Sequence, residues 1–275
     1  MKVRYSYLSQ QFGNCPDLWV KLKKFVATGD FTLGKPLIEF EKSFAKLIGT
    51  KYAVGVNSGT DAIKISLKAI GVKQGDEVIT AANTFVATVG AIRELGAKPV
   101  FVDCDDTFCM NVSLVEKKIT KKTKAIMPVH LTGRMCNMKK IMKIAKKYNL
   151  FVIEDCAQSI MSSFGNKPSG SYGDVGCFSA HPLKNLNAAG DSGYLVTNNN
   201  KLYKKISDLR NHGMTNRDVI HNFGYVSRMD NLQAGILNFR LKNLKKNISL
   251  RRKNVGLYQK YLNPEYYYFP KEKTD

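Results

Sequence analysis

A lysine just beyond a buried strand can capture a carbonyl, and Lys184 has that setting in Gly176-Cys-Phe-Ser-Ala-His-Pro-Leu-Lys184-Asn-Leu. An acid of the matching kind precedes it at Val152-Ile-Glu-Asp155. Together they suggest Schiff-base chemistry with a carbonyl cofactor, of the pyridoxal-phosphate type. Asp155 follows the apolar run Leu150-Phe-Val-Ile153, which puts it at the carboxyl edge of a strand, where ligands of open α/β sheets collect. An anion there can pair with a protonated pyridine nitrogen; the competing reading is an aspartate capping the next helix.

Other groups that such a cofactor needs appear at strand ends and helix starts. Tyr52-Ala-Val-Gly-Val56 reads as a strand running into Asn57-Ser-Gly-Thr60, followed by a helical apolar pattern at Ala62, Ile63, Ile65, Leu67 and Ile70. Gly59 and Thr60 would open that helix, offering backbone N–H groups, a hydroxyl and the positive dipole end to a phosphate. Ser179 offers a second hydroxyl, or is a satisfied polar group beside a strand. Phe85, after the strand Glu77-Val-Ile-Thr80, could stack on a pyridine, or pack in the core. His130 and His181 fall on strand-end or loop segments near the same edge, and structural roles are the expectation for both.

The elements that must carry these residues are short β-branched runs near 53–56, 77–80, 99–103, 125–129, 150–154, 175–179 and 193–197, with amphipathic helical stretches between most of them. That alternation predicts an α/β fold with a mainly parallel sheet covered on both faces. Asp230-Asn-Leu-Gln233 has capping-box-like spacing and opens a predicted long helix, with Leu232, Ile236, Phe239, Leu244 and Ile248 on one face.

The formal charge is +21 over 275 residues. The lysines are interleaved with apolar residues at helical spacing, as in Lys139, Lys140, Lys143, Lys146 and Lys147, and read as solvated faces of amphipathic helices. With no zinc-finger, helix-turn-helix or RNA-binding signature, a specific nucleic-acid role is not expected; faster capture of an anionic substrate is. No apolar run approaches a membrane span, and the N-terminus lacks a signal-peptide core, so a cytoplasmic location is the expectation. Cys15, Cys104, Cys109, Cys136, Cys156 and Cys177 lack metal-type spacing and read as reduced, mostly buried thiols.

The ordered set of motifs resembles the DegT/DnrJ/EryC1/StrS sugar aminotransferases, a branch of the fold-type I pyridoxal-phosphate enzymes. It includes Gly29-Asp-Phe-Thr-Leu-Gly34, Val54-Gly-Val-Asn-Ser-Gly-Thr-Asp61, Gly75-Asp-Glu-Val-Ile-Thr80, Ile153-Glu-Asp-Cys-Ala-Gln158, the Lys184 motif, Gly190-Asp-Ser-Gly193, Arg210-Asn-His-Gly213 and Ser227-Arg-Met-Asp-Asn-Leu-Gln233. The resemblance implies that Lys184 binds pyridoxal 5'-phosphate covalently and later moves protons, and that Asp155 holds the pyridine nitrogen. It further implies that Gln158 lies near the ring hydroxyl, Phe85 stacks on the ring, and Gly59, Thr60 and Ser179 bind the phosphate. The implied reaction moves an amino group from an amino acid, glutamate by analogy, to a keto group of a nucleotide-linked sugar, in a homodimer with shared active sites. A related branch that removes a sugar hydroxyl carries histidine in place of the lysine, so Lys184 favours transamination. A noncatalytic binding protein of the same fold is the alternative.

Two departures stand out. The family's Gly-Tyr-Asn before the Ser-Arg pair is Gly224-Tyr-Val226 here, and valine cannot donate a hydrogen bond to a neighbouring subunit's cofactor phosphate. Either Ser227 or Arg228 substitutes, or cofactor retention is weaker. The resemblance also implies a cofactor-binding domain over residues 1–230 and, over 231–275, the long helix and the start of a small domain that is incomplete here. Exposed apolar surface near Tyr266 to Phe269 and reduced stability are the corresponding expectations.

Overall fold

The structure is a computed structural model that describes residues 4–270. Five-residue strands supply its centre: β1 (Tyr52–Val56), β2 (Glu77–Ala81), β3 (Lys98–Val102), β4 (Thr123–Met127) and β5 (Phe151–Asp155) come first. A two-residue hairpin pair follows, β6 (Ser163–Phe164) and β7 (Lys167–Pro168), and then β8 (Val175–Ser179) and β9 (Gly193–Thr197). The seven longer strands form one sheet in the order β1-β9-β8-β5-β4-β2-β3. Every pairing from β8 to β3 is parallel, whereas β9 runs antiparallel to both β1 and β8. The predicted strands are all present, shifted by at most two residues, because a sheet buried on both faces demands the continuous apolar runs by which they were read.

Helices α1 (Leu8–Gly13), α2 (Pro16–Val26), α3 (Lys35–Ile48), α4 (Gly59–Ala69), α5 (Val86–Glu94), α6 (Met138–Tyr148), α7 (Asn200–Leu209), α8 (Asn231–Leu241) and α9 (Leu244–Tyr261) surround the sheet. The period of two along each strand divides the core. Val54, Val56, Ile153, Cys177 and Leu195 face α4, α5 and α7, whereas Ala53, Phe178, Tyr194 and Val196 face α3 and α8. Ile79, Ile126 and Val152 face α6. α3 starts with Pro36 in its first turn, buries Leu37, Phe40, Phe44, Ala45 and Ile48, and stops at Gly49, whose φ of 73° is the left-handed cap that glycine takes without strain.

A ring cluster fixes α3 on the sheet: Phe44 meets Tyr194, Phe178 and Phe40 at centroid distances of 4.3, 5.1 and 5.8 Å. Glu41 on α3 accepts from the Gly55 N–H at 2.8 Å and pairs with Arg210 at 2.5 Å, and Arg210 also donates to the Gly55 carbonyl. This mostly buried ion pair ties α3, β1 and the end of α7 together.

The predicted long helix is divided. α8 packs on α3 and against Leu18 and Leu22 of α2, then closes at Asn243, whose N–H bonds the Arg240 carbonyl three residues back; α9 departs from there with Leu244 as its buried residue. The capping box is absent too, since the Asp230 side chain makes no cap bond and Gln233 is engaged elsewhere. Tyr266, Tyr267 and Tyr268 are exposed, and Tyr268 Oη donates to the Asp106 carbonyl at 2.7 Å. All the cysteines are free thiols, and Cys109, Cys136, Cys156 and Cys177 are buried.

Truncating Phe44 removes a buried ring from three aromatic contacts, so Phe44→Ala is expected to lose about 3–5 kcal/mol of stability in a urea titration. A loss below about 1 kcal/mol would mean that the cluster does not anchor α3.

Candidate active site

Parallel strands aim their carboxyl ends at one edge of the sheet, and β5 delivers Asp155 there as its last residue. Main-chain bonds fix it: the Asp155 N–H donates to the Pro128 carbonyl at 2.9 Å, and its own carbonyl accepts from the His130 N–H at 3.1 Å. Thr88 Oγ1 donates to Asp155 Oδ2 at 2.8 Å, and the Ala157 N–H donates to Oδ1 at 3.2 Å. A tight turn rather than a helix follows, so helix capping is not its task. Burial pushes the Asp155 carboxyl above its ordinary value, opposed by the two hydrogen bonds and by the charge of Lys184.

Lys184 sits in the turn that leaves β8, its N–H bonded to the His181 carbonyl at 2.8 Å. Burial pushes its ammonium below the ordinary value of 10.5, and the Asp155 charge offsets part of that shift. Both side chains line one cleft of about 660 Å³, together with Gly59, Thr60, Phe85, Gln158, Ser179 and Ser192. The predicted site residues therefore come together around a single space, although they are separated by up to 125 positions along the chain, from Gly59 to Lys184.

The α4 N-terminus forms one wall. Ser58 Oγ caps the Asp61 N–H at 3.0 Å and the Ser58 carbonyl takes the Ala62 N–H, which leaves the N–H groups of Gly59 and Thr60 outside the helical ladder. A Cβ on Gly59 would lie 2.7 Å from Ser179 Cβ, and one on Gly193 would lie 2.2 Å from the Ser58 carbonyl carbon, so both positions require glycine for this close approach. Ser227, 1 % exposed, braces the wall by donating to Asp61 Oδ2 at 2.8 Å. That commitment removes Ser227 as a substitute for the missing asparagine. Arg228 bonds Asn211 at 3.4 Å, and Val226 is 60 % exposed. Phe85 is 66 % exposed over the cleft, so core packing does not account for it.

His130 is fully buried and structural. Its Nδ1 accepts from the Cys136 N–H at 3.2 Å, which assigns the proton to Nε2, 3.2 Å from Glu154 Oε2. Glu154 also accepts from the N–H groups of Gly170, Tyr172 and Gly173. Cys156 lies close to this pair, but a metal ion there would have to displace these bonds. His181 lines the cleft with its Nδ1 taken by the Leu183 N–H.

Sequence reading gave no site role to Thr88, Ser192 or Gln233, although the last two lie in motifs quoted above. Thr88 lies in the apolar-looking start of α5 and carried no motif. Gln233 holds the Ala189 main chain through both amide atoms, at 2.9 and 3.3 Å, and so fixes the segment that follows Lys184.

The model of the DegT/DnrJ/EryC1/StrS aminotransferase family matches residues 18–272. The chain belongs to that family. It is 41 % identical over 264 residues to the pleiotropic regulatory protein of Geobacillus stearothermophilus, covering 95 % of this chain and 71 % of that one. Over 243 residues it is 44 % identical to the UDP-N-acetyl-3-dehydro-alpha-D-glucosamine 3-aminotransferase of Acidithiobacillus ferrooxidans, covering 87 % of this chain and 65 % of that one. The solved structure of ntdA from Bacillus subtilis, with bound cofactor PMP, superposes with a TM-score of 0.82 at 39 % identity, covering 88 % of this chain and 56 % of that chain. The chain thus spans about two thirds of the length of the curated relatives it matches.

Pyridoxal phosphate is the cofactor of this family, and the residues present fit it. A buried carboxylate lies on the cleft floor, an amine of lowered basicity on its wall, and a helix N-terminus with uncommitted N–H groups beside them. The buried Ser192 Oγ, which lines the same cleft, has no hydrogen-bond partner among the described residues and suits an anion acceptor.

The Asp155 carboxyl titrates above its unfolded value, so its favourable contribution to folding is complete below pH 3.8 and is lost as pH rises through the folded value. Without cofactor, Asp155→Asn should therefore melt at or above wild type at about pH 8, with the difference shrinking near about pH 4. A mutant that melts clearly lower at the higher pH would contradict this sign.

Proposed function

We propose that the chain is a pyridoxal-phosphate-dependent aminotransferase that transfers an amino group from an amino acid, glutamate, to a keto group of a nucleotide-linked sugar. The observation that carries this reading is the convergence of Lys184 and Asp155 on one cleft at the carboxyl edge of the sheet, where burial lowers the basicity of the Lys184 amine and leaves the Asp155 carboxyl in need of a cationic partner. The dehydrating branch is disfavoured by the lysine itself.

Pyridoxal phosphate, when bound, supplies a ring that accepts the electron pair left on a substrate carbon as its proton departs. Asp155 would hold the ring nitrogen in its protonated form, and Thr88 keeps that carboxylate aimed. Gly59, Thr60, Ser179 and Ser192 would bind the phosphate through N–H groups and hydroxyls. Phe85 would stack on the ring, and Gln158 would lie near the ring hydroxyl. Desolvation keeps Lys184 Nζ partly neutral, so it would bind the cofactor covalently and, when free, would take the proton from the donor α-carbon.

The reading extends to a homodimer, for which exposed Phe85, Val86, Leu183, Phe223 and Val226 are apolar side chains open to a second copy. With Ser227 bonded to Asp61, either Arg228 of that copy substitutes for the missing asparagine or cofactor retention is weaker. Residues 1–230 are the cofactor-binding unit on this reading, and 231–275 the helical stretch that carries α8 and α9 and the start of a small domain. Formation of amino sugars for surface polysaccharides in the cytoplasm is the setting that we favour; among the described residues no helix is long and apolar enough to cross a membrane.

Visible absorbance tests the function. Wild-type protein should hold pyridoxal phosphate in a coloured form that glutamate bleaches, whereas Lys184→Ala should form no such band. The rate of cofactor capture should rise with pH as Lys184 loses its proton, with a midpoint below 10.5. A folded wild-type protein without the band, or a band that survives Lys184→Ala, would contradict the reading.

A further inference from the structure

Lys184 lines a second cavity as well. This hollow, of about 420 Å³, lies between the segment after β8, α1 and the elbow that joins α8 to α9. Arg240, Lys246 and Arg251 contribute to its walls, and no described carboxylate does. None of the ion pairs among the described residues includes any of these three cations.

Arg240 is the informative member. Its guanidinium is half-buried, lies 4.8 Å from the Phe12 ring centroid and donates to Gln11 Oε1 at 3.1 Å, yet no described carboxylate pairs with it. Burial pushes its pKa down, opposed in part by Cys15. Asn187, 2 % exposed, lines the same hollow. Its Nδ2 donates to the Pro182 carbonyl at 2.5 Å and to Gln11 Oε1 at 3.3 Å, so its orientation is fixed, and its buried Oδ1 has no partner among the described residues. A half-buried arginine outside every described ion pair and an unsatisfied acceptor together describe a ligand that carries negative charge and, beside it, a hydrogen-bond donor.

We propose that this cavity binds the diphosphate of the nucleotide-linked substrate, with Arg240, Lys246 and Arg251 on the phosphoryl oxygens, Asn187 Oδ1 accepting from an adjacent sugar hydroxyl, and Lys184 forming the wall shared with the cofactor cleft. The assignment rests on the aminotransferase reading and extends it to the substrate's anionic end. Three cations with no acid among them match a group that concentrates more than one negative charge in a small volume; the two carboxylates of glutamate are spread along its chain and accompanied by an ammonium. Lys184 lines both spaces, so a substrate whose diphosphate lies in the second hollow can extend its sugar carbonyl toward the cofactor in the first.

Calorimetric titration of the full chain, loaded with pyridoxal phosphate, with inorganic pyrophosphate tests this. Lys246→Gln/Arg251→Gln changes two exposed side chains, and Lys121→Gln/Lys122→Gln is a control of equal charge loss away from the cavity. The expected result is an affinity weakened about tenfold or more in the cavity variant and unchanged in the control. Uridine diphosphate should compete with pyrophosphate, and L-glutamate should not. Equal affinities in all three proteins would mean capture by the general field of a basic chain and would overturn the proposal; so would displacement by glutamate. The cofactor band, read in the same samples, separates the two levels. Failure of the pyrophosphate result with the band present removes the cavity assignment alone, and absence of the band in wild type removes the aminotransferase reading with it.

Discussion

A carboxylate removed from water at the end of the central strand is the constraint on which the rest of the site depends. Asp155 would be more stable protonated, or replaced, in a chain that had only to fold. Two hydrogen bonds hold it in place without neutralising it, and the nearby Lys184 amine is itself drawn below its ordinary basicity. A cationic ring nitrogen resolves both tensions: it gives the acid its partner and leaves the amine free to stay neutral. The fold therefore stores an electrostatic deficit at the place where the cofactor supplies the missing charge.

Holding that arrangement requires contacts between distant segments. Gln233 at the start of α8 grips the Ala189 main chain beyond Lys184, and Asn231 beside it bonds both the Asp30 carbonyl and the Gly34 N–H. The Glu41–Arg210 pair fixes β1, from which the phosphate-facing turn at Ser58 departs, and Ser227 braces that turn through Asp61. The antiparallel β9 lets Gly193 lie against Ser58, so this strand reversal is part of how the helix N-terminus reaches the cleft.

Much of this was legible in the residues. The strands could be read because burial on both faces demands uninterrupted apolar runs, and Gly59-Thr60, Asp155 and Lys184 because each follows such a run at its carboxyl end. What escaped depends on tertiary partners. Asp230 and Gln233 had the spacing of a capping box, but a glutamine that can bond both atoms of a peptide unit gains more across the fold than locally. The break between α8 and α9 falls at Asn243 inside a continuing apolar period, so periodicity alone carried the helix through it. Thr88 and Ser192 looked like ordinary polar residues of a helix and a loop until the fold turned them toward the cleft or its acid.

The central claim is that one lysine among many carries the cofactor. Reductive trapping of bound pyridoxal phosphate with borohydride, followed by peptide mass spectrometry, asks this directly. The account predicts a single stoichiometric adduct on Lys184, lost in Asp155→Asn. Substoichiometric labelling scattered over the exposed lysines, with Lys184 unmodified, would contradict it.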